Sequence, residues 1–388
     1  MVLITLTKED FQTYSDQVSC RSFMQSVQMG NLLEKRGAKV TYLSLKQKGE
    51  IQVAALVYCL PMLGGFHMEI NSGPIYTKKE FLSEFYFALK EYAKQNGALE
   101  LVVKPYETYQ TFDSEGNPID AEKKSIIQSL TDLGYQFDGL TTGYPNGEVS
   151  WHYIKDLQDY DAVSLLKSFN KNSIRNIQSA FDFNLLVRNA EREEIPTFKK
   201  IIEETGKRQG FEDKNLDYYF KLYDMFGDKA NFLIAEVNMQ QSIDALNVKM
   251  ASLDKKSKQF YQQYQALQKK KDFLTSLDSD SGNVVLACAL IIYTNTEATY
   301  LFGGSYAEYQ KFSAPFLLQY HAMKQTMQRN IHRYNFLGIQ GIFDGSDGVL
   351  RFKQNFNGYI VRKPGTFRYY PSPLKYKCIQ LLKKLLRR

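Results

Sequence analysis

Hydrophobic and polar positions alternate along the chain at two spacings, and the order of the spacings outlines the fold. Residues 20–37 enter through Ser22-Phe23-Met24-Gln25-Ser26 and predict a helix ending at Gly37. Two β-rich runs, 40–45 and 51–60, flank the polar turn Lys46-Gln47-Lys48-Gly49. After a third extended stretch at 68–75, residues 79–96 place Phe81, Leu82, Phe85, Leu89 and Tyr92 on one stripe, the mark of an amphipathic helix capped by Gly97. A short buried strand is expected at 99–103, a polar loop at 112–120 and a further helix at 121–133. In the second half, 231–236, 284–293 and 299–302 read as strands. Gly303-Gly304, a helix over 315–329 and a strand at 333–336 follow.

Three strands, a glycine, a long helix and a strand therefore occur twice. This fits an α/β (α+β) chain with a central sheet flanked by helices in each half. We expect domains at 1–150 and 151–362, and a basic segment at 363–388 that returns to the first. The second copy carries an insertion. From Met239 to Leu274 the heptad positions Ile243, Leu246, Met250, Leu253, Phe260, Tyr264 and Leu267 are apolar, with polar lapses at Ser257 and Lys271. That is a coiled-coil pattern. One unbroken helix of roughly 36 residues would run about 54 Å. The strands on either side should be neighbours, so a helical hairpin arm over 238–280 is expected, its tip at Asp254-Lys255-Lys256-Ser257.

Composition adds bounds. The 388 residues suffice for two cores, and the formal charge of +7 eases contact with RNA, sugar phosphates or an anionic membrane without selecting one. Twenty-seven tyrosines and 26 phenylalanines suit either an aromatic-lined cleft or plain β-rich cores. Lys8, Glu9 and Asp10 interrupt any signal-peptide build, and the apolar run 284–293 is too short to span a bilayer. Cys20, Cys59, Cys288 and Cys378 lie far apart, as reduced thiols of a cytoplasmic protein would. Residues 374–388 hold six basic and no acidic residues, with Ile379, Leu382, Leu385 and Leu386 at helical spacing. This suits a helix on an anionic membrane surface, and equally a last helix packed on the first domain.

Several chemistries lack their motifs. The four histidines, His67, His152, His321 and His332, are isolated, so no metal site is expected. A GxSxG elbow, a GxxxxGK[ST] loop and a dinucleotide fingerprint are all missing from the sequence. Neither copy has the Arg/Gln-x-x-Gly-x-Gly/Ala turn that would hold the pyrophosphate of coenzyme A at a helix start. No cofactor is called for.

One block is more specific. The strand-like Tyr334-Asn335-Phe336-Leu337-Gly338-Ile339 leads into a turn rich in glycine and aspartate. Asp347-Gly348-Val349-Leu350-Arg351-Phe352-Lys353-Gln354-Asn355-Phe356 follows. Lys353 between aromatic neighbours could be a snorkelling lysine with its stem on the core. The block also resembles the C-terminal signature of the Fem family of non-ribosomal peptidyltransferases, with Asn357-Gly358 replacing the family's direct Phe-Gly. The resemblance implies two tandem acyl-CoA N-acyltransferase-like domains with a helical arm proposed to contact RNA. It implies transfer of an amino acid, alanine or serine, from aminoacyl-tRNA to the lysine amine of a peptidoglycan stem peptide on lipid II or a UDP-linked muropeptide. It makes Lys353, preceded by Phe352, the catalytic lysine. Arg208, in Lys207-Arg208-Gln209-Gly210-Phe211, would grip the acceptor phosphate with Lys35 and Arg36, and Tyr106 and Tyr300 would be cleft tyrosines. Glu107, Asp113, Asp344 and Asp347 stay unranked as general base, and Asp347 could simply cap the helix bearing Lys353. The rival readings are an aminoacyl-tRNA–protein transferase, a coenzyme A-dependent N-acetyltransferase and a non-enzymatic coiled-coil adaptor.

Overall fold

The computed structural model describes residues 3–277 and 282–386. In chain order its strands are β1 (Ile4–Thr5), β2 (Lys39–Gln47), β3 (Glu50–Met62), β4 (Gly65–Asn71), β5 (Ile75–Tyr76), β6 (Ala98–Lys104), β7 (Gln110–Phe112) and β8 (Gln136–Phe137). Then come β9 (Trp151–Asp156), β10 (Leu186–Asn189), β11 (Ala230–Asn238), β12 (Asn283–Tyr293), β13 (Ala298–Ser305), β14 (Arg333–Ile339), β15 (Tyr359–Arg362) and β16 (Phe367–Tyr369). They form two sheets of eight strands, ordered β1-β2-β3-β4-β6-β16-β8 with β5 beside β3, and β10-β11-β12-β13-β14-β9-β15-β7.

The duplication is visible in the pairing. β2, β3 and β4 form an antiparallel meander; helix Leu82–Gln95 then crosses over, so that β6 returns parallel to β4. In the second sheet β11, β12 and β13 are antiparallel, and helix Ala314–Gln328 carries the chain back to β14, parallel to β13. A parallel return needs such a crossover, whereas the meander needs only tight turns. Leu82, Phe85, Leu89 and Ala93 bury one stripe of the first crossover helix. The second is buried on more sides, through Leu317, Leu318, Tyr320, Ala322 and Met323, because helix Lys171–Asp182 covers it from outside.

The two units exchange strands. β7, from the first half of the chain, pairs with β15 at the edge of the second sheet, and β16 inserts between β6 and β8 of the first. The chain thus crosses between units at 105–110, between β7 and β8, at about 140–150 and after Arg362, and the first, third and fourth of these crossings line the space where the units meet.

The insertion is a helical hairpin, Met239–Ala251 and Phe260–Ser276, turning over residues 252–259. Met239, Leu246, Met250, Leu267 and Leu274 are buried and join the core beneath the second sheet. Asp182 ties the two arm helices together, pairing with Lys249 in the last turn of the first and, at 2.6 Å, with Lys270 midway along the second. The last helix, Pro373–Leu386, seats Ile379 on Gly64 in the β3–β4 turn and leaves Leu374, Leu381, Leu382 and Leu385 exposed. Residues 278–281 and 387–388, at the ends of the expected arm and basic tail, lie outside the described residues. Among the described residues no helix is long and apolar enough to cross a membrane.

Candidate active site at the junction of the two units

The two parallel strand pairs behave differently. β4 and β6 stay registered from Phe66 to Asn71, but β13 and β14 share only Ala298–Tyr334 and Thr299–Asn335 before they part. Asn335 explains the parting. Its Oδ1 accepts from the backbone N–H of Leu337 at 2.8 Å, a local side-chain turn that bends the strand and puts Leu337 at φ 60°. Gly338 then runs so close to Val149 and Tyr144 that a Cβ there would lie 2.9 Å and 3.1 Å from their side chains. In the gap lies a cavity of about 260 Å³, lined by Leu301 and Leu337 of the second unit and, from the first, by Asn71, Ser72 and Lys104 at the ends of β4 and β6. Ser72 is also left-handed, at φ 53°. Such backbone costs of order 1–3 kcal/mol and collects where a structure shapes a site.

The floor is a buried polar network. Tyr106 donates to Glu297 Oε1 at 2.6 Å, and Asn335 Nδ2 donates to Tyr106 Oη at 3.1 Å and to His152 Nδ1 at 3.1 Å. His152 is therefore the Nε2–H tautomer. Burial and the nearby Lys363 hold it well below the usual histidine range, so it is neutral and its Nδ1 is occupied. The Lys363 amine donates to the Tyr106 carbonyl at 2.8 Å and lies 3.6 Å from the centre of the Tyr106 ring. Burial pulls it down to about 8, against the pull of Glu297. On the rim Lys104 bridges Glu69 at 3.0 Å and Glu148 at 3.1 Å, and Thr366 donates to Glu148 at 2.6 Å. Burial lowers the Lys104 amine, but these carboxylates outweigh it and hold the amine above its ordinary range.

Of the residues singled out from the sequence, Tyr106 lines this cavity. Lys353 does not. It is 3% exposed, and its amine donates to the carbonyl of Gly338 at 2.5 Å, next to the cavity-lining Leu337. Burial lowers that amine to about 7, with Asp347 pulling the other way. Phe352 packs edge-on against Phe316 and Phe356 in the second core. Tyr300 is half-buried beside the cavity wall, its hydroxyl over Gly303, where a Cβ would come within 1.7 Å. Arg208 is exposed at the end of helix Ile195–Gln209 and donates to the Ser305 carbonyl at 3.0 Å. Lys35 and Arg36 are exposed at the end of helix Val27–Lys35, and Arg36 lies 5.3 Å from the Tyr218 ring of the other unit.

The unranked carboxylates all have other partners. Asp347 caps helix Gly348–Gln354 through Val349 and Leu350 and also accepts from Gln340 N–H. Glu107 takes Lys79 and Tyr76; Asp113 and Asp344 tie their own turns. The carboxylate that does line the cavity, Glu148, lies outside the sequence expectations, as do Lys104, Glu297 and Lys363, while His152 and Asn335 figure there only as an isolated histidine and a strand residue. Charged residues inside otherwise apolar strands, such as Lys104 in Leu101-Val102-Val103-Lys104, were the available signal.

A paired unit of antiparallel meander, crossover helix and parallel return, with a polar cavity at the junction, defines a tandem N-acyltransferase architecture. It is similar to the crystal structure of FemX (TM-score 0.78, 21% identity, 98% of this chain and 99% of that one). It is also similar to a tandem GNAT protein from the clavulanic acid biosynthesis pathway (TM-score 0.52, 8% identity, 96% and 98%). In sequence it is 26% identical to the aminoacyltransferase FemA of Staphylococcus epidermidis, over 99% of this chain and all of that one. The sequence model of the FemAB family matches residues 6–384. The chain belongs to the FemAB family and is an aminoacyltransferase.

Proposed function

We propose that this enzyme moves an amino acid, alanine or serine, from aminoacyl-tRNA to the lysine side-chain amine of a peptidoglycan stem peptide, building the interpeptide bridge. The observation that carries this reading is the junction cavity, where strand ends of both units converge on a buried network of neutral and cationic donors. An aminoacyl ester is already activated, so its aminolysis needs positioning and charge stabilisation more than redox or metal chemistry. The missing coenzyme A turn in both copies supports a donor other than an acyl-CoA.

Lys353 acts in this reading on the cavity wall. Its amine holds Gly338 from one side, while Asn335 holds Leu337 from the other. Arg208, Lys35 and Arg36, with Tyr218 beside Arg36, supply exposed cations for the acceptor phosphates, a role suited to planar guanidinium groups. Lys255, Lys256 and Lys258, exposed at the arm tip, offer contacts for tRNA phosphates. Lipid II is the favoured acceptor over a UDP-linked one. The final helix exposes Leu374, Leu381, Leu382 and Leu385 among Lys375, Lys377 and Lys384, a pattern suited to resting on the anionic inner face of the cell membrane from the cytoplasm.

Donor and acceptor class are tested together. Purified protein is given alanyl-tRNA or acetyl-CoA as donor, with a lysine stem peptide or a peptide with a free N-terminus as acceptor. Transfer from alanyl-tRNA to the stem-peptide lysine is expected. Acetylation, or modification of the N-terminus alone, contradicts the reading.

A further inference from the structure

The charged groups around the junction cavity are unequal. Lys104 is neutralised by Glu69 and Glu148 together. His152 is neutral, with Nδ1 taken by Asn335. Lys363 remains. It is 6% exposed, lines the cavity, and among the described residues has no carboxylate within ion-pair distance. An ammonium offers three N–H donors. One goes to the Tyr106 carbonyl and the Tyr106 ring covers a face, which leaves donor capacity unspent on a desolvated cation at the cavity floor. Keeping such a group charged is costly, and an anion brought beside it relieves that cost.

We infer that Lys363 is a catalytic residue of the transfer, its ammonium placed to take the oxyanion that forms on the carbonyl of the aminoacyl ester. This rests on the aminoacyl-transfer reading above. The nitrogen of the neutral acceptor amine attacks the ester carbonyl carbon; the C–N bond forms and the carbonyl π pair moves onto oxygen beside Lys363. When the pair returns, the ester C–O bond breaks. The departing ribose oxygen gains the proton that the nitrogen loses, so Lys363 ends as it began. Lys353, its amine engaged with Gly338 outside the cavity lining, acts at a distance from this oxygen.

The groups facing Lys363 are Glu297 before β13, Arg333 at the start of β14, Tyr106 and Glu107 after β6, His152 on β9 and the Cys20 thiol. Glu297 and Glu107 favour its charge and Arg333 opposes it, but burial dominates, so the ammonium is lost as pH rises through about 8. A guanidinium in its place keeps its charge across that range.

The test compares full-length wild type, Lys363→Met and Lys363→Arg on alanyl-tRNA and a lysine stem peptide, with thermal melts for each. For Lys363→Met, kcat is expected to fall on the order of 100-fold, with both KM values changed less than about threefold. Lys363→Arg is expected to keep measurable turnover, with the alkaline fall in kcat moved above its wild-type position. A Lys363→Met enzyme of wild-type kcat overturns the inference and leaves the reading of function standing. So does a Lys363→Arg enzyme whose alkaline limb coincides with wild type. A wild type that makes no aminoacylated peptide overturns both.

Discussion

Asn335 and Lys353 grip consecutive residues of one strand from opposite sides, and that grip decides where the wall of the cavity stands. Asn335 takes the N–H of Leu337, and Lys353 takes the carbonyl of Gly338. Removing the lysine takes its bond away from the half-buried carbonyl of Gly338 and loosens the bend, although Asn335 and the Asp347 cap still shape the segment. Lys353→Ala should therefore nearly abolish transfer while the protein keeps its far-ultraviolet circular dichroism. Wild-type turnover in that variant would remove Lys353 from the account. Arg208 sits on the surface with one bond to the Ser305 carbonyl, so its loss is tolerated by the fold. Arg208→Ala should raise the acceptor KM by about tenfold, the worth of one charge-assisted contact, and change the tRNA KM much less. Equal effects on both substrates would place it elsewhere.

At the scale of elements, β4 and β6 carry a ladder of charge from the surface to the cavity rim. His67 lies between Glu69 at 3.0 Å and Glu100 at 2.7 Å, and Glu69 in turn holds Lys104. Burial works against a charge on His67, but its bonds to Glu100 and Glu69 prevail and raise it to about 9. A folded value above the unfolded one contributes stability that is complete below about 6.5 and lost as pH rises through about 9, here of order 3 kcal/mol. The depressed Lys353 and Lys363 act with opposite sign over that window. The readout is thus the urea midpoint of wild type minus that of His67→Gln, expected to shrink from pH 6 to pH 9. A constant difference would contradict the ladder. In the arm, a triple alanine variant at Lys255, Lys256 and Lys258 should flatten the logarithmic salt dependence of tRNA binding by about 2 to 3; an unchanged slope would exclude the tip.

Legibility differed by element for physical reasons. The meander strands, both crossover helices and the hairpin arm follow from periodicity and punctuation: the first crossover helix buries one stripe, and the central strands read as continuous apolar runs because both of their faces are buried. The helix expected at 121–133 is shorter, Lys124–Thr131, and Lys123 at its start makes no side-chain cap. Helices Ile195–Gln209 and Leu216–Phe226 lie outside the expected elements, although each has an ordinary apolar stripe. The exchanged strands β7 and β16 have 3 residues each and little pattern, so nothing local announces which sheet will take them. The cavity residues were hidden for a related reason. Lys363, Glu297 and His152 are far apart in sequence and gain meaning only where β13 and β14 part.

For the whole molecule, duplication provides two similar strand-end faces, and strand exchange fixes them against each other. One of the two parallel pairs stays closed and the other opens, so a symmetric scaffold presents a single asymmetric cavity. This is the geometry expected when two large, unlike substrates must meet at one small reacting centre. The most direct measurement gives the enzyme lipid II bearing a lysine stem, with alanyl-tRNA and seryl-tRNA in parallel, and locates the new amide by mass spectrometry. The account predicts one added alanine or serine on the ε-nitrogen of the stem lysine. No product from either tRNA, or an amide formed elsewhere, would contradict it.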